Sequence, residues 1–168
     1  PEHDVSSFDC GEDSLNIWLK RRAAANQASG ASRTYVLCEQ HLVIGYFALS
    51  SGGVVPAAAT GRFRRNMPDP VPVVILGRLA LAKTHAGMGL GRALFQDAVA
   101  RVVSAADIIG IRGMLVHALS EQAKNFYLRL GLEVSPLDPM TLMATIADLK
   151  HAMSCLLYTS DAADDLLC

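Results

Sequence analysis

The sequence predicts a single domain of the α/β (α+β) class, in which helices pack in layers against a β-sheet. Three observations support this prediction. The chain has 168 residues, a length that fits one domain. Its apolar residues recur alternately at the spacing of strands and at the spacing of helices. Near the middle, a glycine-rich segment separates an apolar run from a long helical pattern, as at a strand-to-helix crossing.

The first third of the chain predicts a helix and then a β-hairpin. In residues 14–27, Leu15, Trp18 and Leu19 recur at helical spacing, and Gly30 follows as a stop signal. Two segments rich in β-branched and aromatic residues come next, separated by a short polar turn, so we expect two paired strands. They are residues 33–39 (RTYVLCE) and 41–52 (HLVIGYFALSSG).

The rest of the chain alternates strand and helix patterns. Residues 54–72 hold four prolines and three arginines and predict a loop or a broken segment. Residues 73–81 (VVILGRLAL) are almost continuously apolar, as expected of a central strand covered on both faces. From Gly89 onward the pattern predicts a helix with one apolar face. The later elements are a strand at 111–119 (IRGMLVHAL), a helix at 120–130 (SEQAKNFYLRL) stopped by Gly131, and a strand at 140–146 (MTLMATI).

The last fifteen residues differ from the rest of the chain. They carry no matching structural signal and resemble the translation of a sequencing-library adapter. We therefore expect one structured domain over residues 1–153 and a non-native tail over residues 154–168. The tail holds three aspartates and no lysine or arginine, so the remainder has 15 basic and 13 acidic residues, a net charge of +2. Such a small excess does not by itself indicate a nucleic-acid partner.

Several classes of protein and of site are not expected. No apolar run approaches the roughly 18 residues of a membrane span, and no secretory leader is recognisable, so we expect a soluble cytoplasmic protein. Cys10 and Cys38 have neither disulfide nor paired-ligand spacing and should be reduced thiols. No cluster of His, Cys and carboxylates has ligand spacing, so no metal is expected. His85 should lie on a loop surface, and His117 should be a hydrogen-bonded core histidine.

Residues 83–99 place Gly87, Gly89 and Gly91 at alternate positions before a helical run. The first turn of a helix has unpaired N–H groups and a positive dipole end, which favour an anion, and glycines let a diphosphate approach the backbone. A P-loop would need Lys and then Ser or Thr after Gly91, whereas Arg92 and Ala93 follow. The dinucleotide fingerprint lacks its third glycine. An ordinary flexible loop remains the alternative.

Taken with its neighbours, the loop resembles the GNAT superfamily of acetyl-CoA-dependent N-acetyltransferases. The segments in order are LGRLAL, AGMGLGRALFQDAV, GMLVHAL and AKNFYLRLGL. Gly89 and Gly91 fill the two small positions of the family signature, while Ala86 stands where the family usually has Gln or Arg. RRNMPDPVPVVILGRLAL and FYLRLGLEVSPLDPMTLM are similar to the acetyltransferase toxins of bacterial toxin–antitoxin pairs. The resemblance covers nearly all of residues 3–153 and implies the GNAT fold, a mixed central sheet flanked by helices, for the domain at 1–153.

The resemblance also implies an acetyl-CoA site in the region of the splayed central strand. Tyr127, in the family's FY pair, would give a proton to the departing CoA thiolate, and Asn125 would contact the cofactor. The pantetheine arm would pair with the backbone of three residues, Leu79, Ala80 and Leu81. The pyrophosphate would bind N–H groups of the six residues Gly87, Met88, Gly89, Leu90, Gly91 and Arg92.

The residues of the central strand indicate which kind of amine the site would acetylate. The central strand at 73–81 contains no acid that could act as a general base. At about pH 7.4 a lysine amine is roughly 0.1% neutral, whereas an α-amino group is roughly a quarter neutral. A site without a strong base therefore suits an α-amine. The resemblance implies that the acceptor is the α-amino group of the amino acid on a charged tRNA. Acetylation of this group would block translation.

Two basic segments are candidate tRNA contacts. One is residues 20–22, and the other contains Arg62, Arg64 and Arg65, with Phe63 between them as a candidate base-stacking surface. A solvated charged surface is the alternative for both segments. The resemblance further implies a homodimer and a ribbon-helix-helix antitoxin whose C-terminal segment folds onto the basic surface. Two other functions stay open: acetylation of a protein N-terminus or a small amine, and a non-catalytic acyl-CoA-binding regulatory module.

Overall fold

The computed structural model describes residues 3–156, which form one six-stranded sheet with helices on both faces. The strand order is β1-β2-β3-β4-β6-β5, in which β3 and β4 are parallel and the other neighbours are antiparallel. The mixed sheet expected of the GNAT fold is therefore present. The strands are β1 (Arg33–Glu39), β2 (Leu42–Val54), β3 (Val71–Leu81), β4 (Gly113–His117), β5 (Glu133–Val134) and β6 (Thr141–Thr145).

Six α-helices accompany these strands in the part of the chain that the structure describes. They are α1 (Asp13–Arg21), α2 (Ala23–Ser29), α3 (Gly61–Arg64), α4 (Leu90–Ala106), α5 (Glu121–Arg129) and α6 (Ile146–Leu156). The single helix predicted at 14–27 is two helices, because Arg22 leaves helical geometry at φ −118°. Gly30 ends α2 in the left-handed conformation, as the stop signal predicted. None of these helices is long and apolar enough to cross a bilayer.

Side-chain alternation divides the sheet into two faces. On one face, Phe47 of β2 and Val116 of β4 pack with the buried side of α4, including Phe95 and Val99. On the other face, α1 packs near the end of the sheet formed by β1 and β2, where Trp18 stacks on Tyr46 at 5.9 Å between ring centroids. Helix α3 covers the same face further along, around Val73, Leu115 and Met143. We call these the α4 face and the α1 face.

A β-bulge at Gly77 determines how β3 presents its side chains. Ala48 pairs with Arg78 and Leu49 with Leu76, so Gly77 is the extra residue opposite β2. Because of this extra residue, Leu76 and Leu79 both face α4, whereas Arg78 faces α1. Parallel pairing of β3 with β4 ends at Leu76 and Val116, although β3 continues to Leu81. The two parallel strands therefore separate at their carboxyl ends.

The structure differs from the sequence expectations in three further places. Strand β5 was missed because its two residues are too few to show alternation. The segment 54–72 is not all loop, since it contains α3 and the beginning of β3. Helix α6 runs to Leu156, three residues into the predicted tail, and residues 157–168 of that tail lie outside the described residues.

Candidate active site

A cleft opens where β3 and β4 separate. Residues of both sheet faces line it, since α1 contributes Leu15 and α5 contributes Ala123 and Tyr127. The cleft therefore joins the α4 face to the α1 face through the gap in the sheet. The described lining residues are Leu15, Leu76, Gly77, Arg78, Leu79, His117, Ala118, Leu119, Ala123 and Tyr127.

Strand β3 turns part of its backbone towards this gap. The Ala82 N–H donates to the Ile44 carbonyl at 2.7 Å, so Ala82 bonds to the β2 side. In an antiparallel ladder the bonding direction alternates, so Ala80 also bonds towards β2, while Leu79 and Leu81 direct their N–H and C=O groups away from it. Of the three predicted pantetheine contacts, Leu79 both lines the cleft and has this orientation, and Ala80 is fully buried within the sheet.

The glycine loop ends at the N-terminus of α4. Gly87 and Gly89 have φ values of +79° and +77°, in the left-handed region that favours glycine. A Cβ on Gly87 would meet no atom within 4 Å, so the space beside this residue is open. Gly89 is the N-cap of the 17-residue helix and has no side chain that could cap this end, and the first turn of the helix holds no acid. This helix end suits an anionic group such as a diphosphate, so the residues present fit acetyl-CoA.

Tyr127 lies on the α4 face of the cleft. Helix α5 begins where the Ser120 hydroxyl accepts a hydrogen bond from the Ala123 N–H at 3.0 Å, and its apolar side turns inward. The Tyr127 ring is 6% exposed and lies 6.0 Å from Phe95 and 5.3 Å from Phe126, between centroids. Because Phe95 belongs to the second turn of α4, these contacts hold Tyr127 near the start of that helix. Asn125 is exposed on the opposite side of α5 and is not among the described lining residues.

His117 lies on the α1 face of the cleft. Its Nδ1 is 2.9 Å from Thr141 Oγ1, and that hydroxyl donates to Asp138 Oδ2 at 2.7 Å. Hydrogen bonds from the Met140 N–H and from Thr141 lower the pKa of Asp138, which keeps this carboxyl ionised. His117 is hydrogen-bonded as predicted, but it is exposed at the cleft rather than in the core, because β4 ends there. The sequence contained no signal for this group, since its members come from separate segments.

Basic residues border the same face. Lys20, Arg21 and Arg22 are exposed at the end of α1, and the Arg78 guanidinium lies 4.5 Å above the Trp18 ring. Around α3, Arg62 pairs with Asp148, whereas Arg64 and Arg65 are exposed and make no ion pair with any residue of 3–156. The structure therefore places both predicted basic segments on the helices of the α1 face.

The proposal of Phe63 as a base-stacking surface is wrong. Its side chain is 1% exposed and packs among Val73, Leu115 and Met143. Helix α3 is one turn long, so Phe63 faces inward while the arginines around it face solvent. Arg112 fixes this orientation by donating to the carbonyl oxygens of Arg62 and Phe63 at 2.7 and 2.8 Å.

The other candidate groups lie away from the cleft lining. His85 is half-buried and contacts Thr84 Oγ1 and Glu39, rather than lying fully on the surface. Cys10 and Cys38 form no disulfide within residues 3–156. Over the same range, no three His, Cys, Asp or Glu side chains come together in a way that could hold a metal ion.

The fold and the cleft define an acetyltransferase. The chain matches the Acetyltransferase (GNAT) family over residues 9–132 and belongs to that family. A tRNA-acetylating toxin of Mycobacterium tuberculosis is 50% identical over 147 residues, which cover 88% of this chain and 89% of the relative. The probable toxin TacT of Sinorhizobium fredii is 26% identical over 162 residues, 90% of each chain. The predicted family is confirmed, and so is the predicted similarity to acetyltransferase toxins.

Solved structures of toxins have the same fold. A tyrosine-to-phenylalanine mutant of KacT superposes with a TM-score of 0.84 at 30% identity, covering 89% of this chain and 92% of that one. AtaT complexed with acetyl-methionyl-tRNAfMet superposes with a TM-score of 0.82 at 30% identity, covering 94% of both chains. AtaTR bound with acetyl-CoA gives 0.78 at 31% identity, covering 94% and 92%. AtaT bound to the C-terminus of the antitoxin AtaR gives 0.77 at 30% identity, again covering 94% and 92%.

Proposed function

We propose that this chain is a toxin that transfers an acetyl group from acetyl-CoA to the α-amino group of an aminoacyl-tRNA. The observation that carries the proposal is the through-sheet cleft, with Tyr127 and a helix end that suits a diphosphate on one face and basic helices on the other. The 50% identity to a tRNA-acetylating toxin supports the same reaction. An acetylated α-amine cannot form a peptide bond, so translation would stop.

The α4 face would hold the acetyl donor. When bound, acetyl-CoA supplies an acetyl group activated as a thioester. The N–H groups of the loop from Gly87 to Arg92 would bind its pyrophosphate, and the Leu79 backbone would pair with the pantetheine arm. The geometry of β3 supports Leu79 and Leu81 in this role more than Ala80, whose backbone bonds within the sheet.

Tyr127 would act as the general acid. The side chain lines the cleft from a helix that packs on α4, and its aromatic neighbours Phe95 and Phe126 exclude water from the ring. A hydroxyl held in this position can donate a proton to the departing sulfur as the new amide bond forms.

The α1 face would receive the aminoacyl-tRNA. Its exposed arginines suit phosphate, and a local patch of this kind is required because the net charge outside the predicted tail is only +2. An α-amine is favoured over lysine as the acceptor, because a far larger fraction of an α-amine is neutral near neutral pH.

The proposed function is tested by incubating the full chain with labelled acetyl-CoA and, separately, with total charged tRNA, deacylated tRNA, free amino acids and peptides. We expect label on charged tRNA and on none of the others. Preferential labelling of peptides or free amino acids would overturn the tRNA assignment. No labelling of any amine would favour a regulatory module.

The partners of the chain are also part of the proposal. We infer a homodimer and an antitoxin with a ribbon-helix-helix domain, in the cytoplasm where charged tRNA occurs. Binding of AtaT to the C-terminus of AtaR supports an antitoxin segment that docks on the toxin. A monomer in light scattering at micromolar concentration would contradict the dimer, and normal growth of cells that express the unopposed chain would contradict the toxin.

A further inference from the structure

Among the described residues that line the cleft, His117 is the one with a ring nitrogen that can accept a proton. The other lining side chains are apolar, except for Arg78, which remains protonated, and Tyr127. Histidine is the side chain that most readily exchanges a proton between pH 5 and 8. The central strand contains no acid that could serve the acceptor amine, and the position of His117 offers a base in its place.

The hydrogen bonds around His117 determine which ring nitrogen carries the proton. The ionised Asp138 carboxylate can only accept, so the single Thr141 hydroxyl proton is directed to it. The Thr141 oxygen must then accept from His117, which places a proton on Nδ1. In the neutral ring, Nε2 therefore carries a free lone pair. Since Thr141 lies on β6, on the far side of β4 from the gap, the edge of the ring that bears Nε2 faces the cleft.

His117 and Tyr127 reach the cleft from opposite faces of the sheet, so one can accept a proton while the other donates one. Side chains alternate along β4, so His117 shares the α1 face with Leu115, whereas Tyr127 approaches from the α4 face. An acceptor that enters from the α1 face would meet His117 first. Two charged residues belong to the surroundings of the imidazole: Arg78 of β3 lines the same cleft, and Asp138, in the turn before β6, is linked to the ring through Thr141.

We propose that His117 Nε2 is the general base that takes the proton from the acceptor amine, and that Thr141 and Asp138 position its ring. This inference rests on the proposed function. As the amine N–C bond forms and the C–S bond breaks, one amine proton passes to His117 and the Tyr127 proton passes to the thiolate. Water then carries a proton from the imidazolium to the tyrosinate, which restores both residues for the next turnover.

The first test replaces His117 by Gln in the full chain and measures acetylation of charged tRNA across about pH 6 to 9. We expect turnover at neutral pH to fall by about 10²- to 10⁴-fold, with the KM for acetyl-CoA unchanged. At the acid end of this range, log(kcat/KM) of the wild type should rise with pH more steeply than that of the variant, because both the acceptor amine and the base must be deprotonated. The variant should keep a slope of one. His41→Gln, at an exposed turn histidine, is the matched control and should keep the wild-type profile.

The second test separates positioning from mere packing. Thr141 is 5% exposed, and Thr141→Val keeps its shape but removes the oxygen that accepts from His117. We expect a smaller loss of turnover than in His117→Gln, and recovery in Thr141→Ser, which keeps the hydroxyl. Nitrogen-15 NMR of the imidazole should show the Nδ1–H form in the wild type and the Ser variant, but a mixture of both forms in the Val variant.

Failure of this inference can be told apart from failure of the proposed function. If the wild type acetylates a peptide or a free amino acid instead of charged tRNA, the tRNA assignment fails, and the same kinetic comparison on that amine still tests His117. The NMR measurement needs no acceptor at all. A His117→Gln variant with more than about a tenth of wild-type turnover and an unchanged slope would overturn the base. An Nε2–H form in the wild type would overturn the positioning.

Discussion

The two faces of the cleft are built in different ways. On the α4 face, the predicted cofactor site consists largely of backbone: left-handed glycines, the N-terminal end of α4 and the carboxyl end of β3. On the α1 face, the groups with chemical function are side chains, namely His117, Arg78 and the arginines around α3. A backbone site depends on conformation, so glycine is the residue that matters there. A side-chain site depends on which distant segments meet, so the fold as a whole determines it.

This difference predicts how each face responds to mutation. In the predicted cofactor site on the α4 face, the side chains of the glycine loop should matter little for acetyl-CoA binding, but added Cβ atoms at the glycines should be harmful. On the α1 face, the loss of one functional group should be harmful even when the backbone is unaltered. Tyr127 is the exception on the α4 face, since its role depends on one hydroxyl.

The largest effect is expected from Tyr127→Phe. The ring keeps its contacts with Phe95 and Phe126, so stability and acetyl-CoA affinity should change little. Turnover should fall by about 10²- to 10⁴-fold while both Michaelis constants stay near the wild-type values, because only the proton donor is removed. Tyr35→Phe, in which the ring stays stacked on Phe47, is the matched control. Steady-state kinetics that show more than about a tenth of the rate in Tyr127→Phe would exclude the tyrosine as the acid.

The sequence predicted the two faces unequally. The glycine loop and the tyrosine each lie in one short segment, so local spacing and resemblance to a family located them. The unit of His117, Thr141 and Asp138 spans more than twenty residues, and none of its members has a distinctive sequence context. Only the pairing of β4 with β6 brings His117 and Thr141 together.

The prediction for Phe63 was wrong for a related reason. Charged neighbours indicated an exposed aromatic, but a one-turn helix turns one side chain inward and its neighbours outward. Burial of that kind depends on the sheet below, around Val73 and Leu115, and not on local composition. The bulge at Gly77 was equally invisible in an apolar run, although it determines which residues of β3 face the cofactor side.

Two substitutions in the glycine loop, of which Gly87→Ala is the milder, test the backbone character of the α4 face. Gly87 and Gly30 both have left-handed φ values, +79° and +81°, and a Cβ on either would meet no atom within 4 Å. Alanine at either position should therefore cost a similar amount of stability, about 1 kcal/mol. Only Gly87→Ala should also weaken acetyl-CoA binding, by about tenfold in calorimetry, because its Cβ enters the space assigned to the pyrophosphate. Equal affinities in the two variants would remove the pyrophosphate from this loop.

A stronger form of the same test uses Gly89→Val. Gly89 is the N-cap of α4 with φ +77°, so a branched side chain adds backbone strain and also blocks the helix end. Acetyl-CoA affinity should fall further than in Gly87→Ala. Circular dichroism and thermal unfolding would show whether the variant is folded, and a folded variant with wild-type affinity would contradict the assignment.

A smaller effect is expected from the basic residues of the α1 face. The double variant Arg64→Ala, Arg65→Ala should weaken binding of charged tRNA several-fold. It should also lower the dependence of log Kd on log salt by roughly 0.7 to 0.9 for each phosphate that the arginines neutralise in the wild type. The acetyl-CoA affinity should not change. Lys150→Ala, at an exposed lysine of α6, is the control for removal of a charge elsewhere. An unchanged salt dependence in the double variant would remove these arginines from the tRNA surface.

The smallest effect concerns the pH dependence of stability at the turn that supports the α1 face. Hydrogen bonds from the Met140 N–H and the Thr141 hydroxyl lower the pKa of Asp138 below its ordinary value of 3.8. A group whose pKa is lower in the folded state stabilises the protein above its unfolded pKa, and that stabilisation disappears as the pH falls through the folded pKa. Asp138→Asn should therefore be less stable than the wild type at neutral pH, and the difference should shrink below about pH 4. Urea unfolding of the wild type and of Asp138→Asn at neutral and acidic pH measures this difference in stability. A difference that stays constant over this range would show that the ionised carboxylate does not stabilise the turn, and that another carboxylate is responsible for any loss of stability in acid.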